Sequence, residues 1–408
     1  MTQPSESVWK LWREPKGPLV PYIEPFARRL AEQGFCRRYL GQQIRMAARF
    51  SRWLLVNRVA AEAVTDDHVR QFLHGSAGKR AINRGTVATV RRFMDFLRQL
   101  GVIPTRVEFT ERTQIQQVVD AFSGYLLHDQ ALSNKTLIQY CPFIERFLSN
   151  RFGSGPVELA TLRAVDVIGF IQRQAARLSS VRAKVATIAL RSFLRYARYR
   201  GEIHLNLVVA VPAVPNWSMT GIPRAIAAEH VRAVLAHCRR DTPIGCRDYA
   251  ILMLLARLGL RAGEIVSLTL DSIDWETGRI AVTGKGAHAA WLPLPAEVGE
   301  AIVQYLQVRP ACNDRALLLR VTAPIRSLGS QMTIGTIVDA ALTRAGIDTP
   351  RRGAHQFRHA LAVDMLRQGA TLSEIGSVLR HRHAKTTGIY AKVDIATLRS
   401  LSLPWPEV

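Results

Sequence analysis

The stretch His355-Gln356-Phe357-Arg358-His359 decides how the second half of this chain is interpreted. It opens a segment, 355–368, in which apolar residues recur at helical spacing. Positions i, i+3 and i+4 of a helix are neighbours, so His355, Arg358 and His359 share one face. A guanidinium can bind two oxygens of a phosphate through parallel hydrogen bonds. The stretch therefore indicates a site directed at phosphate.

Further residues of this phosphate-directed set lie on both sides of the stretch. Arg261 follows the end of a predicted helix and has Glu264 three residues after it. Lys285 lies between two glycines after a predicted strand, which suits a turn that directs its ammonium group inward. Tyr390 follows His381 by nine residues. The candidate catalytic residues are Arg261, Lys285, His355, Arg358, His381 and Tyr390, with Glu264 as a supporting residue.

The residues around this set form an α+β pattern with a small antiparallel sheet. Helical spacing occurs over 227–240, 246–258, 296–307, 334–345, 355–368 and 372–379. The segments 272–275 and 279–282, joined by Glu276-Thr277-Gly278, predict a β-hairpin, and 289–294 predicts a third strand.

The first 200 residues are helical in pattern, and the order of their aromatic residues occurs twice. Phe26, Phe50, Phe72 and Phe93 are followed, at offsets of 96, 97, 98 and 100 residues, by Phe122, Phe147, Phe170 and Phe193. So small a drift suggests two copies of one helical domain. The alternative is that amphipathic helices resemble one another by composition alone. Both copies are rich in Lys and Arg, which favours contact with nucleic acid.

These patterns predict a multidomain, mainly helical protein. Its parts are a helical N-terminal domain (20–105), a second helical domain (112–202), a linker (203–224), the domain with the phosphate-directed set (225–400) and a tail (401–408). Three prolines, Pro212, Pro215 and Pro223, indicate that the linker is extended.

Composition restricts the classes of partner and compartment. The 408 residues include 55 Lys and Arg against 32 Asp and Glu, a net charge of +23. Such an excess predicts a polyanionic partner, with nucleic acid first and an anionic membrane surface second. No apolar run is long enough to span a membrane, and the first residues do not read as a secretory signal. The five scattered cysteines form no CxxC pair, which indicates a reducing cytosol.

The order and spacing of the phosphate-directed set resemble the tyrosine recombinase, or phage integrase, family over roughly residues 225–395. The first signature of the family matches Gly259-Leu260-Arg261-Ala262-Gly263-Glu264-Ile265. The second, His-x-x-Arg-His, matches 355–359 without a gap.

The third signature is Leu-Gly-His followed nine residues later by Tyr. It matches Leu379, His381 and Tyr390, with Arg380 in place of the usual Gly, a residue that often has a positive φ. By the same resemblance, 112–202 looks like the SAM-like core-binding domain of the family. The copy at 20–105 looks like an added arm-type or second core-binding domain.

The resemblance implies an enzyme that cleaves and rejoins DNA strands. The implied roles are attack by Tyr390 to give a 3′-phosphotyrosyl bond, phosphate binding by Arg261, Arg358 and His381, proton donation to the 5′ oxygen by Lys285, assistance by His355, and support of Arg261 by Glu264. The phosphotyrosyl bond stores the energy of the broken linkage, so the expected chemistry uses no cofactor and no metal.

The resemblance also implies double-stranded DNA as the partner, a homo- or hetero-tetramer on two DNA sites, and no membrane. We expect a site-specific recombinase of a mobile element, acting in integration or transposition, with a cytoplasmic, nucleoid-associated location. The alternatives are strand relaxation like that of a type IB topoisomerase, and a non-catalytic DNA-binding accessory protein.

Overall fold

The computed structural model describes residues 14–76, 84–104, 112–213, 225–284, 289–381 and 383–393. The chain divides into two compact units. One comprises 1–106 together with 221–408, and the other comprises 107–220. Helices dominate the described residues, with one small antiparallel sheet, so the predicted fold class is confirmed. No helix in this part of the chain is both long and apolar enough to span a membrane.

The first helical bundle packs around an apolar core formed by residues between 19 and 103. It comprises α1 (Val20–Glu32), α2 (Arg37–Val56), a 3-10 turn (Ala61–Ala63), α3 (Asp66–Ser76) and α4 (Arg84–Gln99). Helix α1 begins with a proline in its first turn, where the missing N–H has no intrahelical partner to lose. The face of α1 that packs inward carries Ile23, Phe26 and Leu30, at helical spacing.

The second helical bundle has the same order of elements and its own core. It comprises α5 (Gln114–His128), α6 (Asn134–Phe152), a 3-10 turn (Leu159–Thr161), α7 (Ala164–Arg177) and α8 (Ser180–Tyr199). Thr113 caps α5 by accepting a hydrogen bond from the Gln116 backbone N–H at 3.2 Å, while the Gln116 side chain accepts one from the Thr113 N–H.

The same aromatic pairs stabilise both bundles. Ring centroids are 4.8 Å apart for Phe26–Phe93, 5.5 Å for Phe26–Phe96 and 5.0 Å for Phe50–Phe72. The corresponding pairs of the second bundle are Phe122–Phe193 at 5.4 Å, Phe122–Tyr196 at 5.5 Å and Phe147–Phe170 at 5.2 Å. The positions that repeat in the sequence are therefore the positions whose rings meet in the core.

The segment after α8 differs from the extended linker expected at 203–224. Residues Leu207–Ala210 form a 3-10 turn, and Ile203, Leu207 and Val211 are buried in the core of the second bundle. The prolines from Pro212 onwards indicate an extended chain, but the apolar residues that precede them supply enough buried surface to hold 203–213 against the bundle. Residues 214–224 lie outside the described residues.

The domain from residue 225 onwards is called the catalytic domain below, because it carries the predicted catalytic residues. It is built around a central buried helix, α10. Its helices are α9 (Ala228–Ala236), α10 (Pro243–Leu258), α11 (Ala262–Ser267), α12 (Ala296–Val308), α13 (Gln331–Arg344), α14 (His355–Arg367), α15 (Leu372–Val378) and α16 (Ala384–Thr387). Ten of the sixteen residues of α10 are buried, and α12 and α14 pack against it. Thr242 caps α10 by accepting a hydrogen bond from the Gly245 N–H at 3.1 Å.

The sheet of the catalytic domain has three antiparallel strands in the order β1 (Ile273–Asp274), β2 (Arg279–Thr283) and β3 (Ala289–Pro293). Ile280 lies opposite both Ile273 and Leu292, which sets the register across all three strands. The predicted hairpin and third strand lie at these positions.

A loop of the catalytic domain contacts the first bundle. The Ile325 N–H donates to the Gln33 carbonyl at 2.9 Å, and Ala323 packs on the core of the bundle. Gly34 has a φ of +82°, and a Cβ there would lie 2.5 Å from Ile325 Cγ1. A side chain at this position would therefore meet both a strained backbone and a steric clash.

Candidate active site

Arg261 is positioned by the junction between α10 and α11. Gly259 ends α10 with a left-handed φ of +56°, and a Cβ on it would lie 2.9 Å from Leu379 and 3.0 Å from Leu361. Only glycine suits both the backbone and the close approach at this point. Arg261 then occupies the N-cap of α11, with 38% of its side chain exposed.

Glu264 is the buried anion of the site, with its side chain 4% exposed. Its Oε1 accepts from Arg261 Nη1 at 2.7 Å, and its Oε2 accepts from the Arg261 backbone N–H at 2.8 Å. The same Oε2 accepts from Arg380 Nη2 at 2.9 Å. Burial alone would raise the pKa of Glu264, but the hydrogen bonds from Arg261 and the charges of Arg261 and Arg380 outweigh it and lower the pKa. Glu264 is therefore a carboxylate that neutralises and orients two arginines.

Arg358 is 3% exposed and lies in the first turns of α14. Its Nη1 donates to the Gly259 carbonyl and its Nη2 to the Leu379 carbonyl, so it joins the ends of α10 and α15. Burial, followed by the charges of Arg261 and Arg380, lowers its pKa to about 10. Arg358 thus stays charged at neutral pH. Of the two arginines expected to bind the phosphate, Arg358 is buried and Arg261 is more accessible.

Tyr390 is 2% exposed and begins a 3-10 turn, Tyr390–Val393. Its hydroxyl lies 2.9 Å from Nδ1 of His359. Burial raises the pKa of Tyr390, while the charges of Arg358 and Arg261 oppose that rise. Burial, followed by the charges of His355 and Arg358, lowers the pKa of His359 to about 4. The imidazole is neutral at pH 7, and with its proton on Nε2 it can accept the tyrosine proton at Nδ1.

His355 and His381 complete the group around Tyr390. The ring of His355 lies edge-on to that of His359, with centroids 5.5 Å apart. The ring of His381 is parallel to that of Tyr390, 6.5 Å away, and its Nδ1 lies 2.9 Å from Thr387 Oγ1. Burial and the charge of Arg358 are the first two causes that lower the pKa of both, in His381 to about 4.

The structure therefore brings together five of the six predicted catalytic residues and the supporting Glu264. Lys285, the sixth, lies outside the described residues, between the ends of β2 and β3. Two further residues were not predicted as part of the site. His359 contacts the nucleophile candidate directly, and its place four residues after His355 was the available signal. Arg380 binds Glu264, and its place in the third signature was the signal.

The site residues lie within a stretch that matches a known protein family. The phage integrase family profile matches residues 224–396, and the profile of the phage integrase N-terminal SAM-like domain matches 119–201. A Sinorhizobium fredii protein named as an integrase/recombinase, y4rA, is 48% identical over 398 residues, which is 97% of each chain. The chain belongs to the phage integrase family of tyrosine recombinases. This family is a class of enzymes that break and rejoin DNA.

Other tyrosine recombinases align with a smaller part of the chain. The recombinase XerA of Thermococcus onnurineus is 30% identical over 286 residues, 70% of this chain and 94% of its own. Among solved structures, the XerH recombinase on its difH substrate shares the fold with a TM-score of 0.56 at 17% identity, covering 73% of this chain and 89% of that one. A λ integrase dimer on a core site gives 0.53 at 16% identity, covering 72% and 98%.

Proposed function

We propose that this tyrosine recombinase cleaves double-stranded DNA by attack of Tyr390 on a phosphodiester, and that it serves a mobile element through integration or transposition. The observation that carries the proposal is the contact between the Tyr390 hydroxyl and a neutral His359, beside the cations Arg261 and Arg358. A tyrosine hydroxyl is a weak nucleophile until a base takes its proton or cations stabilise its anion. This site supplies both.

The proposed step forms one bond to phosphorus and breaks another. The Tyr390 oxygen bonds to phosphorus, its proton passes to His359, and the bond from phosphorus to the 5′ oxygen breaks. Lys285 gives the leaving oxygen its proton. Arg261, Arg358 and His381 stabilise the extra negative charge of the five-coordinate phosphorus, and His355 donates a hydrogen bond or assists proton transfer. The reverse attack by a 5′ hydroxyl reseals the strand, so the chemistry requires no cofactor.

The partner that we propose is double-stranded DNA, bound by a tetramer on two sites. The net charge of +23 supports an extended polyanionic partner. Related structures are of XerH bound to its DNA substrate and of a λ integrase tetramer bound to a Holliday junction, the latter at a TM-score of 0.52 and 15% identity. Under this proposal the enzyme acts in the cytoplasm, with the nucleoid.

We also infer that the two helical bundles are copies of one DNA-binding module, with domains close to 20–105 and 112–202. Their shared element order and corresponding aromatic pairs support this duplication. The mobile-element role is supported by the relative that shares the whole length, including the first bundle, and carries an integrase name.

The test is covalent trapping on a nicked DNA substrate. The DNA would be taken from the ends of the element or locus that encodes the protein, with the nick placed near the cleavage point so that the leaving strand is lost. Wild type should give a slower protein–DNA band on a denaturing gel, and Tyr390→Phe should give none. A band from both would place the nucleophile elsewhere. Binding without a band from either would favour the DNA-binding accessory protein.

A second assay separates recombination from strand relaxation. Two copies of the site on one supercoiled plasmid should give resolved or inverted products with wild type. Relaxed plasmid with no exchanged product would favour the topoisomerase-like activity and overturn the proposed recombinase function.

A further inference from the structure

Arg380 makes a contact that the phosphate-directed set does not include. Its side chain is 15% exposed, and its Nη2 donates to Glu264 Oε2 at 2.9 Å. Glu264 also accepts from the backbone N–H and Nη1 of Arg261. Three donors to one buried carboxylate leave the carboxylate little freedom to rotate. The orientation of the Arg261 guanidinium therefore depends on Glu264 and, through Glu264, on Arg380.

The backbone at Arg380 is unfavourable for any residue with a Cβ. Its φ is +55°, in the left-handed region that glycine adopts without strain. The turn is nevertheless formed, since the His381 N–H donates to the Gly376 carbonyl at 2.9 Å. The arginine occupies a backbone conformation that glycine would adopt without strain, and its guanidinium reaches the anion of the active site.

Arg380 also changes the charge balance around the phosphate position. Arg261, Arg358 and Arg380 face a single buried carboxylate, Glu264. With Arg380 the cluster has two positive charges in excess, and without it only one. The negative charge that develops on the five-coordinate phosphorus would therefore be stabilised more strongly with Arg380 in place.

We propose that Arg380 is a positioning residue, which with Glu264 holds the Arg261 guanidinium where the scissile phosphate binds. This inference rests on the proposed function, since it assumes that Arg261 binds the phosphate during cleavage. Arg261, Glu264 and Arg380 would then form a triad, in which Arg380 stands where the third signature of the family has glycine.

The test compares Arg380→Gly with wild type in single-turnover cleavage of the nicked substrate at saturating DNA. Glycine suits the turn, and Glu264 keeps its two hydrogen bonds from Arg261, so Arg380→Gly should fold with a thermal stability close to that of wild type. Its cleavage rate should fall roughly 10- to 100-fold, by analogy with the loss that follows removal of the outer partners that orient metal ligands. Its affinity for DNA should change much less. Arg380→Lys keeps the charge and should recover part of the rate.

Two controls separate this role from simpler effects. Arg315→Ala removes an exposed arginine paired with Asp271 in the same domain, and should leave cleavage near the wild-type rate. Arg58 has the same φ of +55° on an exposed surface, so Arg58→Gly measures how much backbone relief alone adds to thermal stability. An Arg380→Gly rate equal to wild type would overturn the inference. Failure of wild type to form the adduct would instead overturn the proposed function, and the inference with it.

A histidine titration by NMR gives a readout that a merely structural role would not move. His381 faces the charges of Arg358, Arg261, His359 and Arg380, all of which lower its pKa after burial has done so. Removing the Arg380 charge should raise the pKa of His381. The Arg380 charge is the smallest of these causes, so the expected rise is small, and a fall in the pKa of His381 would overturn the inference.

Discussion

In the two helical bundles, buried aromatic rings make the contacts that fix the helices, whereas in the active site buried ionised side chains do so. Phe26 and Phe122 each contact two rings in their own bundle. Glu264 and Arg358 instead join α10, α11, α14 and α15 through hydrogen bonds. Replacing a bundle residue should therefore cost stability, while replacing a site residue should cost the reaction as well.

The largest effect should come from removing the buried carboxylate. Glu264→Ala leaves Arg380, whose side chain is 15% exposed, without its anion, and removing one partner of a buried ion pair costs about 3–5 kcal/mol. We expect that loss in the free energy of unfolding of the catalytic domain, measured by chemical denaturation, and a loss of cleavage on the nicked substrate.

The matched control is Glu297→Ala, which removes an exposed partner of Arg257 at 2.6 Å. Exposed pairs contribute about 0–1 kcal/mol, so this variant should behave like wild type. Similar losses from the two variants would mean that Glu264 is an ordinary surface acid.

Next in size is the effect of truncating corresponding rings in the two bundles. Phe26→Ala and Phe122→Ala should each lower the free energy of unfolding of their own bundle by about 3–5 kcal/mol. If the bundles are copies, the two losses should agree within the usual scatter, because each ring contacts two rings at corresponding positions. Denaturation followed by circular dichroism measures both. Widely different losses would count against equivalent cores.

The buried histidines of the active site should make the stability of the protein depend on pH. The pKa of His359 and of His381 is about 4 in the folded protein, against an ordinary value of 6.5. Between these values the unfolded chain binds protons that the folded chain does not, so stability falls as pH is lowered from about 6.5 towards 4. His359→Gln should flatten this slope between pH 6.5 and 5 in thermal melts. An unchanged slope would mean that His359 titrates normally.

The smallest effect should come from the contact between the first bundle and the catalytic domain. Gly34→Ala places a Cβ 2.5 Å from Ile325 at a φ of +82°. Gly101→Ala is the matched control, since Gly101 has a φ of +71° and no atom within 4 Å of its added Cβ. The control should show only the backbone cost, about 1 kcal/mol, and Gly34→Ala should lose more. Equal melting temperatures would mean that the contact with Ile325 adds nothing.

How far the sequence predicts the structure depends on the kind of contact. The ring positions repeat at offsets of 96–100 residues, so the two bundle cores could be predicted from the sequence. The hairpin and the third strand were also predictable, because short β-prone segments with a turn between them give a local signal.

The contacts of Glu264 with Arg380, and of His359 with Tyr390, could not be derived from local spacing. They join residues 116 and 31 positions apart, and only the packing of α11 and α14 against the turns near 380 and 390 brings them together. The structure of residues 203–213 differs from the predicted extended linker for a related reason. The prolines of this linker indicate an extended chain locally. Ile203, Leu207 and Val211 are instead buried in a core formed mostly by residues far away in the sequence, which local patterns do not reveal.

Identifying the modified residue is the most direct test of whether Tyr390 becomes covalently bonded to DNA. The trapped complex would be digested with nuclease and protease, and the nucleotide-bearing peptide sequenced by mass spectrometry. We expect a single modified residue, Tyr390, joined to a 3′ phosphate, with the 5′ hydroxyl free on the released strand. A nucleotide on any other residue, or a bond to a 5′ phosphate, would contradict it.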